Sequence, residues 1–129
     1  MNIAIIGLIF SAFMPIICSW VSGNYRYTSL KGGLDNKHPR QQNDQLEGAG
    51  ARAVAAQKNA WEAFVVYLAA LAAILMSEAS VEAFTLPIII FIVSRVCHAI
   101  FYIINQDILR SLAFFGSYGS CLYMMFSVL

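Results

Sequence analysis

Apolar residues along the chain fall into four long blocks separated by three polar stretches. The first block, Asn2–Val21, contains no charged residue. A helix of about 20 residues crosses the ~30 Å hydrocarbon core of a bilayer. Pro15 predicts a kink there, tolerated in a membrane when neighbours satisfy the freed carbonyl. Trp20, Tyr25 and Tyr27 gather near its end, as interfacial aromatics do. The block has no basic leader and no small-residue cleavage site, so it reads as a span and not a signal peptide.

Gly23–Gly50 differs in kind. It holds five of the eight glycines and seven charges, with no apolar run. The pattern predicts a water-side loop, long enough to have a role of its own; the alternative is a solvated connector. Ala51–Met76 predicts a second helix, polar at first and apolar later, with its span at 55–76. Alanines at 51, 53, 55, 56, 60 and 63 suit close helix packing in lipid. Ser77–Ala83 is a short turn with Glu78 and Glu82. The third span is placed at 84–104, apolar except for Arg95 and His98. Asn105–Ser111 is a polar turn, and 112–129 is a fourth, charge-free span. Gly116 and Ser120 there have small-xxx-small spacing.

Composition sharpens this picture. Of the 129 residues 60% are hydrophobic and only 12% charged. A soluble domain is nearer a quarter charged. The expected fold is all-α: a single domain, 1–129, of four antiparallel transmembrane helices. Net charge is +1, which gives no reason to expect a nucleic-acid partner. Cys18, Cys97 and Cys121 lie far apart without ligand or disulfide spacing, and read as small buried hydrophobes. Lys and Arg concentrate in the first loop and third turn and avoid the second turn. The positive-inside rule then puts the long first loop in the cytoplasm and both termini on the opposite side.

Ionisable residues inside the spans carry the candidate chemistry, because such groups are costly in lipid and functional by default. Arg52, Asn59 and Glu62 are separated by seven and three residues, so they share one face of the second helix. Arg95, His98 and Tyr102 share one face of the third, and Arg110 follows nearby. Each residue also has a structural explanation. Glu62 and Arg95 could be a buried ion pair, Asn59 a helix bridge, His98 a packing residue and Tyr102 an interface anchor. Arg52 and Lys58 could snorkel to head groups. No second His or Cys lies at metal-ligand spacing, so no metal is expected. Together the residues predict a pocket with excess positive charge: Arg26, Arg52, Lys58, Arg95 and Arg110 against Glu62. An anionic, water-soluble ligand entering from the cytoplasm fits it. Glu62 is free to accept from an ammonium or amide group, and glutathione is one ligand with that inventory.

The run Gln57-Lys58-Asn59-Ala60-Trp61-Glu62, preceded by Arg52, resembles the second-helix signature of the MAPEG family, membrane-associated proteins in eicosanoid and glutathione metabolism. The resemblance extends through Arg95-Val96-Cys97-His98, Tyr102 and Arg110-Ser111. Asp35-Asn36-Lys37-His38-Pro39-Arg40 looks like the first loop of bacterial, microsomal-glutathione-transferase-like members. The resemblance implies a homotrimer in a membrane, most simply the bacterial inner membrane. Glutathione is the implied co-substrate, bound between subunits by Arg26, Arg52, Lys58, Asn59, Glu62, Arg95, His98 and Tyr102. Arg110 and Ser111 are the implied catalytic pair. The second substrate would be a lipophilic electrophile or hydroperoxide arriving from the bilayer lipid. One departure stands out: Ala55 occupies a position where synthases of the family carry Arg. A non-catalytic relative that binds lipid or a partner is therefore the alternative. A small proton-coupled exporter fits less well, since its membrane-embedded Glu belongs in the first helix.

Overall fold

The computed structural model describes residues 3–129, so Asn2, the expected start of the first span, lies outside them. Regular structure among the described residues is entirely helical. Four long helices dominate: α1 (Ile3–Ser29, 27 residues), α3 (Gly48–Met76, 29 residues), α4 (Thr85–Ile103, 19 residues) and α5 (Asp107–Phe126, 20 residues). A short helix, α2 (Pro39–Asn43), lies in the loop after α1, and one 3-10 turn (Val81–Phe84) leads into α4. Three segments are long and apolar enough to cross a membrane: Ile3–Ser29, Gly48–Met76 and Val81–Ile103. Helix α5 is less apolar, because Asp107, Arg110 and a run of Ser and Gly interrupt its hydrophobic residues.

Several boundaries differ from the pattern. Helix α1 continues to Ser29, so the first stretch of the expected 23–50 loop is helical. Tertiary contacts hold it: Arg26 donates to the Pro39 carbonyl (3.3 Å) and to Gln42 Oε1 (3.5 Å). Composition alone cannot anticipate such partners. The remaining loop is folded around Gln42, which is buried. Its Oε1 accepts from the Asp35 N–H (3.0 Å) and its Nε2 donates to the Gly33 carbonyl (2.6 Å). Asp35 then prepares the entry to α2, accepting from the N–H groups of Lys37 (2.8 Å) and His38 (3.1 Å). Those two bonds, Lys37 first, hold its carboxyl below the usual aspartate range.

The expected polar turn 105–111 is also shorter. Helix α4 ends where Asn105 adopts a left-handed conformation (φ 63°), a backbone state Asn tolerates better than most residues. Gln106 N–H reaches the Phe101 carbonyl (2.9 Å) and Asn105 N–H the Tyr102 carbonyl (3.3 Å). This is a Schellman ending with Asn in the usual glycine place. Helix α5 begins at once with Asp107, whose charge complements the helix dipole. Arg110 and Ser111 are therefore helical and sit in the first turn and a half of α5.

Helix α1 packs chiefly on α3, and α4 on α5, with α3 bridging the two pairs. Alanines make the first pairing close: Ala53, Ala56, Ala60, Ala63 and Ala70 are all buried on α3. At the end away from the loop the core is large and aromatic. Tyr67 is stacked on Phe91 (centroids 4.6 Å apart) and donates to the Ala4 carbonyl (3.2 Å). A side chain at Gly7 would run into that hydroxyl. Ile74, Ile88, Cys121 and Met124 complete the cluster. Between α4 and α5, a Cβ at Gly116 would lie 2.7 Å from Ser94 Oγ. Cys18 and Cys121 are buried, Cys97 is half-buried, and all three are free thiols.

Candidate functional site

The loop end of the bundle is built differently. Helix α3 enters there, α4 finishes and α5 starts, so residues far apart in sequence meet. Asn59, His98, Tyr102, Arg110 and Ser111 line one open cavity of about 270 Å³, with Phe114 and Phe115 along its apolar side. Three helices each contribute, and the Schellman turn at 104–106 sets α5 against the last turns of α4.

Within the cavity the side chains organise one another. The Arg110 guanidinium lies over the Tyr102 ring, 4.6 Å from its centroid. A cation over an aromatic face is attracted to the ring and loses none of its charge. Tyr102 also meets His98 edge-on at 5.4 Å, and His98 leans on Phe114 at 6.2 Å. Phe114 in turn stacks on Tyr118. His98 is only 2% exposed, and its Nδ1 is buried without a partner. Asn59 donates to Glu62 Oε2 (3.4 Å), leaving its own Oδ1 buried and unpartnered. An unsatisfied buried polar atom costs about 1–3 kcal/mol. Two of them at one cavity, an acceptor and a ring nitrogen, mark it as a place for a polar ligand or water. Ser111 donates its hydroxyl proton to the Asp107 carbonyl (2.9 Å), one turn back along α5.

The other expected site residues stand apart from this cavity. Arg26 is engaged by the loop through Pro39 and Gln42. Arg52 turns away from Asn59 and donates through Nε to the Ile103 carbonyl (3.0 Å). It satisfies one of the last carbonyls of α4, a position where a cation also suits the helix dipole. Lys58 and Glu62 are exposed on the outer face of α3. Arg95 is 2% exposed in a narrow cleft between α1, α3 and α4, with Ser11, Met14, Phe64 and Phe91. Its Nη1 has no partner. The Glu62–Arg95 ion pair that the sequence allowed does not form, because Asn59 holds Glu62 outward while Arg95 points into the bundle. The one ion pair among the described residues joins His38 and Asp35 in the loop (3.3 Å).

Three contributors escape a reading of the sequence alone. Phe114 and Phe115 form the cavity's apolar wall, yet nothing distinguishes them from other phenylalanines in the spans. Gln42 looks like one more polar loop residue, although it is the hub of the loop. No group of three His, Cys, Asp or Glu among the described residues gathers as metal ligands.

A bundle of membrane-length apolar helices with polar side chains collected at one end is an integral membrane protein. More narrowly, the chain belongs to the MAPEG family, whose model matches residues 3–129, essentially its whole length. Neither the curated proteins nor the solved structures give a match to it.

Proposed function

We propose that this protein binds glutathione at the loop end of its bundle and transfers it to a lipophilic electrophile, or uses it to reduce a lipid hydroperoxide. Family membership supports a glutathione-related role. The observation that carries the reading is the cavity of Asn59, His98, Tyr102, Arg110 and Ser111. Its donors and acceptors suit a small peptide with carboxylates, an amine and amides.

The same reading takes all four long helices as spans, α5 included, in one domain with the long loop on the cytoplasmic side. A bacterial inner membrane is the simplest location. It also takes the working unit to be a homotrimer. Glu62 and Lys58 support this, being exposed midway along a membrane-length helix. A charge facing lipid costs roughly 2.5–3.5 kcal/mol on insertion scales. A second copy and a bound ligand would cover both. At about 270 Å³ the cavity is also just below the ~300 Å³ lower end of small-molecule sites. A neighbouring subunit would supply the missing wall.

In this mechanism Arg110 stabilises the glutathione thiolate, since a fixed cation lowers a thiol's pKa and Arg keeps its charge at neutral pH. The thiol proton leaves to solvent. The sulfur then attacks the electrophilic carbon, a C–S bond forms and the leaving group departs with its electron pair. Asn59 and Glu62 hold the peptide, with Lys58 as the free cation nearest them in sequence. Arg52 and Arg26 act on the frame: the first fixes the end of α4, the second the loop. Ser111 would have to release the Asp107 carbonyl before its proton could reach a thiolate. That bond, with Ala55, favours the second reading: a family member that binds glutathione, lipid or a partner without turnover.

Titration calorimetry of glutathione on the detergent-solubilised protein, paired with turnover of chlorodinitrobenzene, tests both. Binding with turnover is expected. Arg110→Ala should cut turnover by about 10²–10³, the scale of losing one positioned anion-stabilising donor, while the particle mass by light scattering stays that of a trimer. Full activity in that variant refutes the assignment of Arg110. Binding without turnover selects the second reading, and no binding removes glutathione altogether.

A further inference from the structure

A second cavity shares part of its lining with the first. It too has about 270 Å³, and it is lined by Asp107, Ile108, Arg110, Ser111, Leu112 and Phe115. Arg110, Ser111 and Phe115 line both cavities, so the first turns of α5 form the partition between them. The two differ in chemistry. The first holds Asn59, His98 and Tyr102. The second is walled by Ile108 (71% exposed), Leu112 (63%) and Phe115 (69%), which face outward from the bundle. Large apolar side chains exposed on a membrane helix meet lipid or an apolar molecule, so this cavity opens where a compound dissolved in the bilayer would arrive.

One charged group of the second cavity is not shared with the first: Asp107. Its side chain is exposed and has no hydrogen-bond or ion-pair partner among the described residues; only its backbone carbonyl is used, by Ser111. Arg110, the other charge, lies over the Tyr102 ring and borders both cavities, so Asp107 is the charge that belongs to the outer cavity alone. A molecule entering the apolar cavity therefore passes a free carboxylate. Like charges at such range repel.

We propose that Asp107 makes the outer cavity selective by charge, so that the lipophilic second substrate is a neutral or cationic electrophile and carboxylate-bearing compounds are disfavoured. The inference rests on the transferase reading above and narrows its substrate class: neutral or amine-bearing lipophiles, and esterified rather than free fatty-acid hydroperoxides. Asp107 touches neither the thiol nor the reacting carbon, so it is a specificity determinant and not a catalytic residue.

The test compares chlorodinitrobenzene with its carboxylate counterpart, chlorodinitrobenzoate, on wild type, Asp107→Asn and Asp107→Glu. The readout is the ratio of kcat/KM for the acid to that for the neutral compound, in which intrinsic reactivity cancels between variants. Asp107→Asn should raise this ratio roughly fivefold, the scale of removing one like charge several ångströms away, with the KM for glutathione unchanged. Asp107→Glu, which keeps the charge, should leave the ratio at the wild-type value. An equal ratio in wild type and Asp107→Asn overturns the proposal, as does an equal rise in both variants. Equilibrium dialysis of the two compounds against the same proteins gives the corresponding binding ratio without turnover. If wild type turns over neither compound, the transferase reading fails; the dialysis ratio still decides whether Asp107 discriminates by charge.

Discussion

Around Tyr67, every polar side chain that enters the core is answered. Its hydroxyl reaches the Ala4 carbonyl, Ser120 reaches the Gly116 carbonyl and Ser77 the Ile74 carbonyl. From Arg95 towards the loop the reverse holds. The buried side-chain atoms left without a partner are Arg26 Nε, Asn43 Oδ1, Asn59 Oδ1, Arg95 Nη1 and His98 Nδ1. All five belong to the loop-side half. One half of the bundle is thus closed and satisfied, while the other carries polar groups that only a ligand, water or another subunit can complete. The satisfied core and the unpartnered polar groups thus lie towards opposite ends of the same helices.

The contrast can be broken from either end. Tyr67→Ala removes a fully buried aromatic ring, its stacking on Phe91 and its hydrogen bond. Large-to-small changes of this kind cost about 3–5 kcal/mol. Thermal unfolding in detergent should show a large loss of stability; a change comparable to that of a surface variant would mean that the Tyr67 cluster is not the anchor. Arg95→Met should move the other way. A buried charge without a partner is poorly placed, and an apolar replacement of similar length is often neutral or stabilising by ~1–4 kcal/mol. The variant should melt no lower than wild type. A marked loss of stability would show that Arg95 is satisfied in the native assembly.

The smallest effect lies in the loop. The Lys37 and His38 N–H groups lower the Asp35 pKa relative to an unfolded chain. A depressed carboxylate contributes stability that is present above its unfolded value and is lost as pH falls through its folded value. The order of residues 30–47 should therefore hold at neutral pH and weaken only below about pH 3.8, the ordinary Asp value. Hydrogen exchange of that segment would show it. Loosening already at pH 6 would mean that the Asp35 carboxylate does not hold the loop.

Much of the fold was legible because hydrophobic blocks of membrane length leave little choice but helices. The face shared by His98 and Tyr102 was legible too, since a spacing of four fixes helical phase. Phase did not decide what each side chain would meet. Arg52 has the right phase to join Asn59, but the end of α4 offers it a carbonyl 51 residues away. Glu62 has a candidate partner in Arg95, yet Asn59 is nearer and holds it at the surface. The helical start of α5 at Asp107 was hidden because Asp, Arg and Ser usually signal a turn. Here the Asn105 reversal uses up the turn in three residues.

The unequal helices have a last consequence. At 1.5 Å per residue, the 27 and 29 residues of α1 and α3 span about 40 and 43 Å, whereas the 19 of α4 span about 28 Å. The long pair can tilt to accommodate a thicker bilayer, but α4, without the 3-10 turn that leads into it, is no longer than the hydrocarbon is deep. His98 and Tyr102 ride on the last turns of that short helix. Acyl-chain length should thus set how far the cavity stands from the aqueous phase, with lipid thickness as an outside control on its access to water.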